Sequence, residues 1–238
     1  MRSCPRPPCP SIRASRRAIK RACTAALAIA LAIVGDAPLA AQVTPTERAI
    51  RAEFGSEAAS EAVRGIADWI VASGDHQGLP FMIVDKVGAR VFVFARNGRV
   101  AGATSALLGM GIGDESVPDI GKRRLATIRP HERTTPAGRH QAALGFDLEQ
   151  DVLWVDYDQA LSLHRVIDGK PADRRRERLA SASPLDNRIS YGCINVPAAF
   201  YDGVVIPAFT GTVGIVYILP ETRALADVFP AMRRAGRR

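Results

Sequence analysis

Cysteine is scarce in this sequence, with four in 238 residues. Cys4, Cys9 and Cys23 lie near its beginning, so the rest of the chain has a single thiol, Cys193. That thiol has no partner for an internal disulfide, and its presence needs an explanation. Histidine is equally scarce, and His, Asp and Cys never cluster at the spacing of metal ligands. We therefore predict no metal site and no other cofactor.

A long apolar run is also missing. The best candidate, residues 25–34, is too short to span a bilayer comfortably. It follows a basic segment, residues 1–22, and precedes a small-residue stretch that ends at Ala41. The order basic, apolar, small is typical of a secretory signal peptide. We therefore predict that residues 1–41 are a signal peptide cleaved near Ala41, and that the protein is periplasmic or secreted.

Excess positive charge is almost confined to this signal. The whole chain has a formal net charge of +8. Residues 1–41 hold seven of its 32 basic residues and one of its 24 acidic residues, so the remainder has a net charge of +2. A high isoelectric point of this origin gives no reason to expect a nucleic-acid partner.

The period of the apolar residues changes along the chain. Residues 42–78 show helical spacing after a capping-box pattern at 44–47, which predicts a helical extension. From residue 79 onward the pattern is typical of strands. The predicted strands are 80–85, 89–95, 99–101, 140–146, 159–166 and 212–219, and the predicted short helices are 197–206 and 221–232. This pattern favours a mainly β fold with flanking helices.

Glycine is dense at residues 109–114, but the spacing does not indicate a dinucleotide site. A dinucleotide fingerprint needs a strand before it, a helix after it and a third glycine at fixed spacing. Those elements are missing here, so we predict a mobile loop.

Cys193 lies in the centre of a polar-to-apolar run, residues 187–196. Gly192 beside it permits close backbone approach, and Ser190, Tyr191 and Asn195 offer hydrogen-bonding groups around a reacting centre. A nucleophile fits this setting. The alternative is a buried structural cysteine, because free cysteine packs as a small hydrophobe.

Residues 190–195 resemble the nucleophile signature of the L,D-transpeptidase (YkuD-like) family. That signature reads Ser or Thr, His, Gly, Cys, a hydrophobic residue, then Asn or Arg. The matching positions are Ser190, Gly192, Cys193, Ile194 and Asn195. Tyr191 stands where the family usually has histidine.

Two further landmarks of that family precede the cysteine in the expected order. One is the strand pair with the tight turn Asn97-Gly98, and the other is the Thr-Pro-x-Gly turn at 135–138. The resemblance covers residues 79–220 and implies a β-sandwich of mixed sheets. Residues 42–78 then form a helical extension outside the domain, and residues 221–238 a terminal helix and basic tail.

A cysteine nucleophile needs a base, and all four histidines precede Cys193. This order excludes papain-like and NlpC-type enzymes. His164 is the best candidate, since the alternation in 159–166 puts Ser162 and His164 on one face and leucines on the other. The resemblance likewise implies a base histidine at the end of a strand before the cysteine loop. His131 and His140 are predicted to be surface or strand residues, and His76 an exposed turn residue.

The interval between His164 and Cys193 is longer than is usual in the family. The excess is the charged stretch 168–178, predicted to be an exposed loop. Two alternatives remain open for this loop. It is either a solvated surface segment or a segment that steers the substrate or acts as a lid over the site. Tyr191 is expected to replace the family's histidine as a hydrogen-bonding neighbour.

The resemblance implies an exported cysteine acyltransferase that acts on peptidoglycan stem peptides, both donor and acceptor. Cys193 would form a thioester, His164 would move the proton, and the N–H groups of Gly192 and Cys193 would hold the oxyanion. The predicted substrate contacts are Ser190, Tyr191, Asn195 and Arg188, with Arg188 the charge partner of a stem carboxylate. The basic tail is expected to be disordered and able to touch anionic wall polymer.

Three alternatives remain at this stage. A hydrolytic L,D-carboxypeptidase would share the thioester and resolve it with water. A catalytically silent peptidoglycan-binding module is compatible with Tyr191 and the long insertion. A plain secreted sandwich with a structural cysteine is disfavoured by the ordered landmarks. The residues predict no particular oligomeric state.

Overall fold

The computed structural model describes residues 51–147 and 150–235. The predicted signal peptide, the capping-box pattern at 44–47 and the end of the basic tail lie outside these residues. Within them, no helix combines the length and the apolar character needed to cross a membrane.

Strands dominate the described part of the chain. They are β1 (Phe81–Asp85), β2 (Arg90–Phe94), β3 (Val100–Ser105), β4 (Leu108–Gly109), β5 (Gly138–Asp147), β6 (Gln150–Asp156), β7 (Leu161–Arg165), β8 (Arg188–Ser190), β9 (Ile194–Val196) and β10 (Gly214–Ile218). The helices are α1 (Glu61–Ser73), α2 (Arg175–Ala180), α3 (Ala198–Phe200), α4 (Ile206–Phe209), α5 (Leu225–Val228) and α6 (Ala231–Ala235). A π-helical turn, Tyr201–Val205, joins α3 to α4.

Eight strands form one mixed sheet in the order β3-β2-β1-β10-β5-β6-β7-β9. The pairs β1–β10 and β7–β9 are parallel and the other neighbours are antiparallel. Leu107, just after β3, pairs with Asn195 of β9, so the two ends of this strand order are linked. The short strands β4 and β8 pair in parallel. The predicted mainly β fold with mixed sheets and flanking helices is confirmed.

The sheet buries both of its faces. In β1, Met82 and Val84 contribute to an inner core with residues of β7 and β9. Phe81 and Ile83 of the same strand contribute to an outer core, which α1 completes. Each fully buried Ile or Phe of this kind contributes about 1.5–3 kcal/mol of hydrophobic stabilisation. Such two-sided burial explains why β1 reads as a continuous apolar run.

Of the predicted helical extension, the structure describes residues 51–78, and within these the only α-helix is α1. Ser60 caps this helix, because its Oγ accepts from Val63 N–H at 3.3 Å, and Gly74 ends it at φ +68°. Residues 51–60 are not helical, and Glu53 bridges to Arg99 instead. The predicted helix therefore does not extend through residues 51–60.

Three other expectations need correction. The glycine-rich stretch is not a free loop, since β4 pairs with β8 and Gly111 N–H donates to Arg133 O at 3.0 Å. The charged stretch 168–178 contains a 3₁₀ turn and most of α2 rather than loop alone. The predicted helix at 221–232 is divided into α5 and α6, with Pro230 between them. The predicted helix after Pro197 is present and extends to Phe209.

Candidate active site

Cys193 lies in the tight connection between β8 and β9, where it is half-buried. Ser190 holds this connection from both sides. Its Oγ donates to Cys193 O at 2.6 Å and accepts from Gly192 N–H at 3.1 Å. Because one buried hydroxyl satisfies two backbone groups, the cysteine loop is fixed before any substrate arrives.

Gly192 is required by the backbone at its position. Its φ is +133°, and a Cβ there would lie 2.7 Å from Thr134 O. Thr135 Oγ1 donates to Gly192 O at 2.7 Å and accepts from Gly109 N–H at 2.9 Å. The Thr-Pro-x-Gly turn is thereby joined to both the cysteine loop and β4.

The N–H of Gly192, predicted to hold the oxyanion, donates to Ser190 Oγ at 3.1 Å and is therefore occupied in this geometry. The N–H of Cys193 differs. No acceptor for it is found in residues 51–147 or 150–235. It is the remaining candidate donor of the predicted pair.

Strand pairing places His164 near the cysteine loop. β7 runs parallel to β9, with His164 opposite Asn195 and Leu163 opposite Ile194. Leu161 and Leu163 face the inner core, as the alternation predicted. Ser162 and His164 therefore point to the other face, where Ser162 Oγ donates to Cys193 Sγ at 3.6 Å.

The tautomer of His164 follows from its backbone contact. Its Nδ1 lies 2.7 Å from Arg165 O, which can only accept, so Nδ1 carries the proton. In the neutral ring, Nε2 is then the basic nitrogen. A base has this arrangement, with one nitrogen anchored as a donor and the other carrying the lone pair that can accept a proton.

The thiol and the imidazole shift each other's pKa. Burial raises the pKa of Cys193, but its interactions with His164 and Ser162 outweigh burial and lower the pKa below the ordinary value. Burial lowers the pKa of His164, and the interaction with Cys193 reverses this and raises it. Both directions favour a thiolate beside an imidazolium.

Asn195 lies between His164 and the charged stretch 168–178. Its Nδ2 lies 3.2 Å from His164 Nε2 and donates to Cys193 O at 3.4 Å. Its Oδ1 accepts from Arg175 Nη1 at 3.1 Å. An arginine only donates hydrogen bonds, so Arg175 fixes which end of the amide faces His164. Arg175 also acts to lower the pKa of His164.

The charged stretch 168–178 is therefore not solvent-exposed along its whole length. The side chain of Arg175 is 15% exposed and pairs with Asp173 at 3.4 Å. Arg176, next in the chain, is exposed at the surface and pairs with Asp168. One residue of the insertion touches the site, while its neighbour faces solvent. Neither the sequence pattern nor the spacing distinguishes these two arginines.

Arg188 does not present a free charge. It forms a salt bridge with Glu221, and its Nη2 donates to Lys86 O at 2.9 Å. Its side chain is 12% exposed. Because Glu221 already compensates the guanidinium, this geometry does not favour the predicted role of Arg188 toward a stem carboxylate.

Tyr191 is 37% exposed and does not show the expected hydrogen-bonding contact within the described residues. Its ring lies under the guanidinium of Arg133, with 3.9 Å between Arg133 Cζ and the ring centroid. The structure thus replaces the expected polar contact with a cation–π contact.

The other histidines occupy different settings. His131 is exposed in a 3₁₀ turn and His140 lies in β5, as predicted. His76 is not an exposed turn residue. It is buried, with Nδ1 3.3 Å from Ile70 O and Nε2 3.1 Å from Arg96 O. None of these three contacts Cys193 in the described part of the chain.

A cleft of about 830 Å³ opens on the described surface. Its walls come from residues 114–122, the turn at Pro136 and Ala137, and residues 157–159. Gln159 in its wall precedes Ala160, whose carbonyl oxygen is 3.5 Å from Cys193 Sγ. Cys193 and His164 are not among its wall residues, so the cleft adjoins the thiol only through this Gln159–Ala160 connection. The described residues contain no His, Cys, Asp and Glu group able to hold a metal ion.

Sequence reasoning missed three residues of this arrangement: Ser162, Thr135 and Arg175. The alternation that indicated His164 also put Ser162 on the same face. The contacts of Thr135 and Arg175 join parts of the chain that are distant in sequence, and no local pattern indicates them.

No known protein-family model matches the chain, and no curated protein matches it. Solved structures do share similarity with it. One is an L,D-transpeptidase variant from Enterococcus faecium, with 17% identity and a TM-score of 0.35, covering 59% of this chain and 49% of that one.

Another is the helical cell shape determining protein Pgp2 from Campylobacter jejuni, with 12% identity and a TM-score of 0.40, covering 61% and 49%. A variant of Pgp2 gives 13% identity and a TM-score of 0.39, covering 72% and 64%. The chain spans about half the length of the first two structures and less than two thirds of the third.

Proposed function

We propose that this chain is an exported cysteine acyltransferase of the L,D-transpeptidase type that acts on peptidoglycan stem peptides. The observation that carries the proposal is the strand pairing of β7 with β9, which places His164 beside the cysteine loop, together with the effect of His164 on the pKa of Cys193. The imidazole is anchored through Nδ1 at Arg165 O, and it lowers the pKa of the thiol. The ordered motifs of residues 79–220 support the choice of substrate class.

The first half of the reaction is acyl transfer to the enzyme. The Cys193 thiolate attacks the carbonyl carbon that precedes the terminal D-alanine of a tetrapeptide stem. The carbon–nitrogen bond then breaks, and His164 gives its Nε2 proton to the leaving amine. The products are free D-alanine and a thioester on Cys193.

The second half returns the enzyme to its starting state. An amine of a second stem attacks the thioester carbonyl, and His164 accepts the proton that this amine loses. The carbon–sulfur bond breaks, which regenerates the thiolate and forms a 3→3 cross-link or attaches a protein to the wall. If water attacks in place of the amine, the same site is an L,D-carboxypeptidase.

One backbone group supports the tetrahedral intermediate in this mechanism. Cys193 N–H has no acceptor among the described residues, while Ser190 holds the loop that presents it. A preorganised donor of this kind is worth about 2.7–4 kcal/mol in related oxyanion sites. The fixed loop avoids the cost of ordering this donor during the reaction.

Intact-protein mass spectrometry tests the proposal. The wild-type protein and Cys193→Ala are incubated with a diaminopimelate-containing disaccharide-tetrapeptide. We expect a wild-type adduct of the stem minus D-alanine and none in the variant. Adding an acceptor stem then separates the two outcomes, because transfer gives a cross-linked product and hydrolysis gives a free tripeptide. Absence of both adduct and product from a folded wild-type protein would reject acyl transfer.

A catalytically silent peptidoglycan-binding module is the second candidate, and one contact favours it. His164 Nε2 has Asn195 Nδ2 at 3.2 Å, while the directional contacts of the thiol are with Ser162 and Ala160. In that case the stem binds without an adduct. The same incubation distinguishes this function when binding is measured alongside mass.

A further inference from the structure

Arg133 is a half-buried arginine beside the cysteine loop with no acidic partner in residues 51–147 and 150–235. Its Nε and Nη2 donate to Ile128 O at 3.1 and 3.0 Å. Its Cζ lies 3.9 Å from the centroid of the Tyr191 ring. The guanidinium is thus held in place by a carbonyl and an aromatic face, neither of which neutralises its charge.

The other two arginines near the loop differ in this respect. Arg188 is paired with Glu221, and Arg175 is paired with Asp173. Partial burial removes hydration from a cation, and a cation–π contact replaces only part of it. Arg133 therefore keeps an unsatisfied preference for an anion, whereas its two neighbours do not.

The remaining donors of Arg133 have a suitable geometry. A guanidinium has five N–H groups, and Ile128 O takes one from Nε and one from Nη2. Both hydrogens of Nη1 and the second hydrogen of Nη2 are left. This outer edge is the fork that binds a carboxylate through two parallel hydrogen bonds. Tyr191 lies in the same loop as Cys193, two residues before it, so the fork is held at the cysteine loop.

We propose that Arg133, seated on the ring of Tyr191, binds a carboxylate of the acyl donor beside Cys193. The identity of the donor rests on the proposed function. Arg133 takes the carboxylate-binding role that the sequence predicted for Arg188. The Tyr191 ring supports the Arg133 guanidinium through their cation–π contact. A tetrapeptide stem offers two such groups, the terminal carboxylate of D-alanine and the free carboxylate of diaminopimelate.

Binding measured without turnover tests this role. Cys193→Ala is titrated calorimetrically with three disaccharide-tetrapeptides: unmodified, amidated on diaminopimelate, and amidated on the terminal D-alanine. Adding Arg133→Gln should weaken binding of the unmodified probe about 10- to 100-fold, the usual range for a lost charge-assisted hydrogen bond. The probe amidated at the recognised carboxylate should bind both proteins equally, which identifies that carboxylate.

Further variants separate recognition from folding. Arg124→Gln removes the same charge from an exposed neighbour and should change nothing. Arg133→Lys keeps the charge and should retain part of the preference for the unmodified probe over the amidated probe. Tyr191→Leu removes the aromatic face under Arg133 and should selectively weaken binding of the unmodified probe.

The outcomes that overturn the role are equally definite. The role would be rejected if Arg133→Gln weakened the binding of all three probes equally, if it weakened the binding of none, or if no probe bound at all. The proposed function fails separately. A carboxylate preference that depends on Arg133, combined with no adduct on wild-type Cys193, keeps this inference and rejects acyl transfer.

Discussion

His164 and His140 are anchored alike and surrounded differently. His164 Nδ1 donates to Arg165 O, and His140 Nδ1 lies 3.5 Å from Asp156 Oδ2. At Nε2 they diverge. His164 faces the thiol and Asn195, whereas His140 Nε2 is buried without a partner among the described residues.

The pKa directions of the two rings follow this difference. Burial lowers both, and Asp156 raises that of His140 too little to reverse the effect. At His164, the interactions with the Cys193 thiol and with the Arg165 carbonyl reverse it. A carboxylate behind an imidazole is therefore not enough to make a base in this fold. The two rings differ most in the group that lies next to Nε2.

The largest expected effect comes from removing each imidazole in turn. His164→Ala should lower acyl transfer about 10²- to 10⁴-fold, the usual contribution of a general acid–base residue. It should also raise the pKa of Cys193, because the interaction that lowers it is lost. The rate of iodoacetamide alkylation against pH reports that pKa, and its midpoint should move to higher pH.

His140→Ala is the matched comparison for this experiment. It should leave both the transfer rate and the alkylation midpoint within about twofold and a few tenths of a unit, since surface and remote changes seldom do more. A thiol midpoint that moves with His140 and ignores His164 would reverse the assignment of the base.

A smaller effect is expected from Arg175, which acts on His164 through Asn195. An imidazolium Nε2–H would face the Asn195 amide hydrogens, and Arg175 prevents the amide from turning its oxygen toward the ring. Arg175→Met should therefore raise the pKa of His164. Nuclear magnetic resonance of the His164 ring in a Cys193→Ala background measures this without interference from the thiol.

Arg176→Met provides the control for charge. It removes an exposed arginine of the same helix, one position away, that pairs with Asp168 instead of Asn195. The His164 pKa should not change in this variant. Equal shifts in the two variants would show that long-range charge acts on the ring and that the amide orientation does not.

Local pattern predicted much of this arrangement. Alternation identified β7 and the face of His164, and continuous apolar runs identified β1 and β10. The cysteine motif indicated the right loop. Each of these features depends on residues close together in sequence, where side-chain direction follows from the period of the element.

The remaining features depend on contacts between distant residues. Glu221 neutralises Arg188 across 33 positions, and Thr135 reaches Gly192 across 57. Ser190 takes the Gly192 N–H through a turn geometry that residue types alone do not specify. The hydrogen-bonding capacity of these residues was readable from the sequence, but their partners were not.

The smallest expected effect concerns stability at His140. Burial holds the pKa of His140 below its unfolded value of about 6.5, so the unfolded chain binds the extra proton first. Its contribution to stability is present above that value and is lost as pH falls through it. His140→Gln, which cannot titrate, should flatten the fall in unfolding free energy between about pH 7 and pH 5 relative to wild type. Urea unfolding at several pH values measures this slope. An unchanged slope would mean that His140 is protonated equally in both states, and its difference from His164 would then lie in geometry alone.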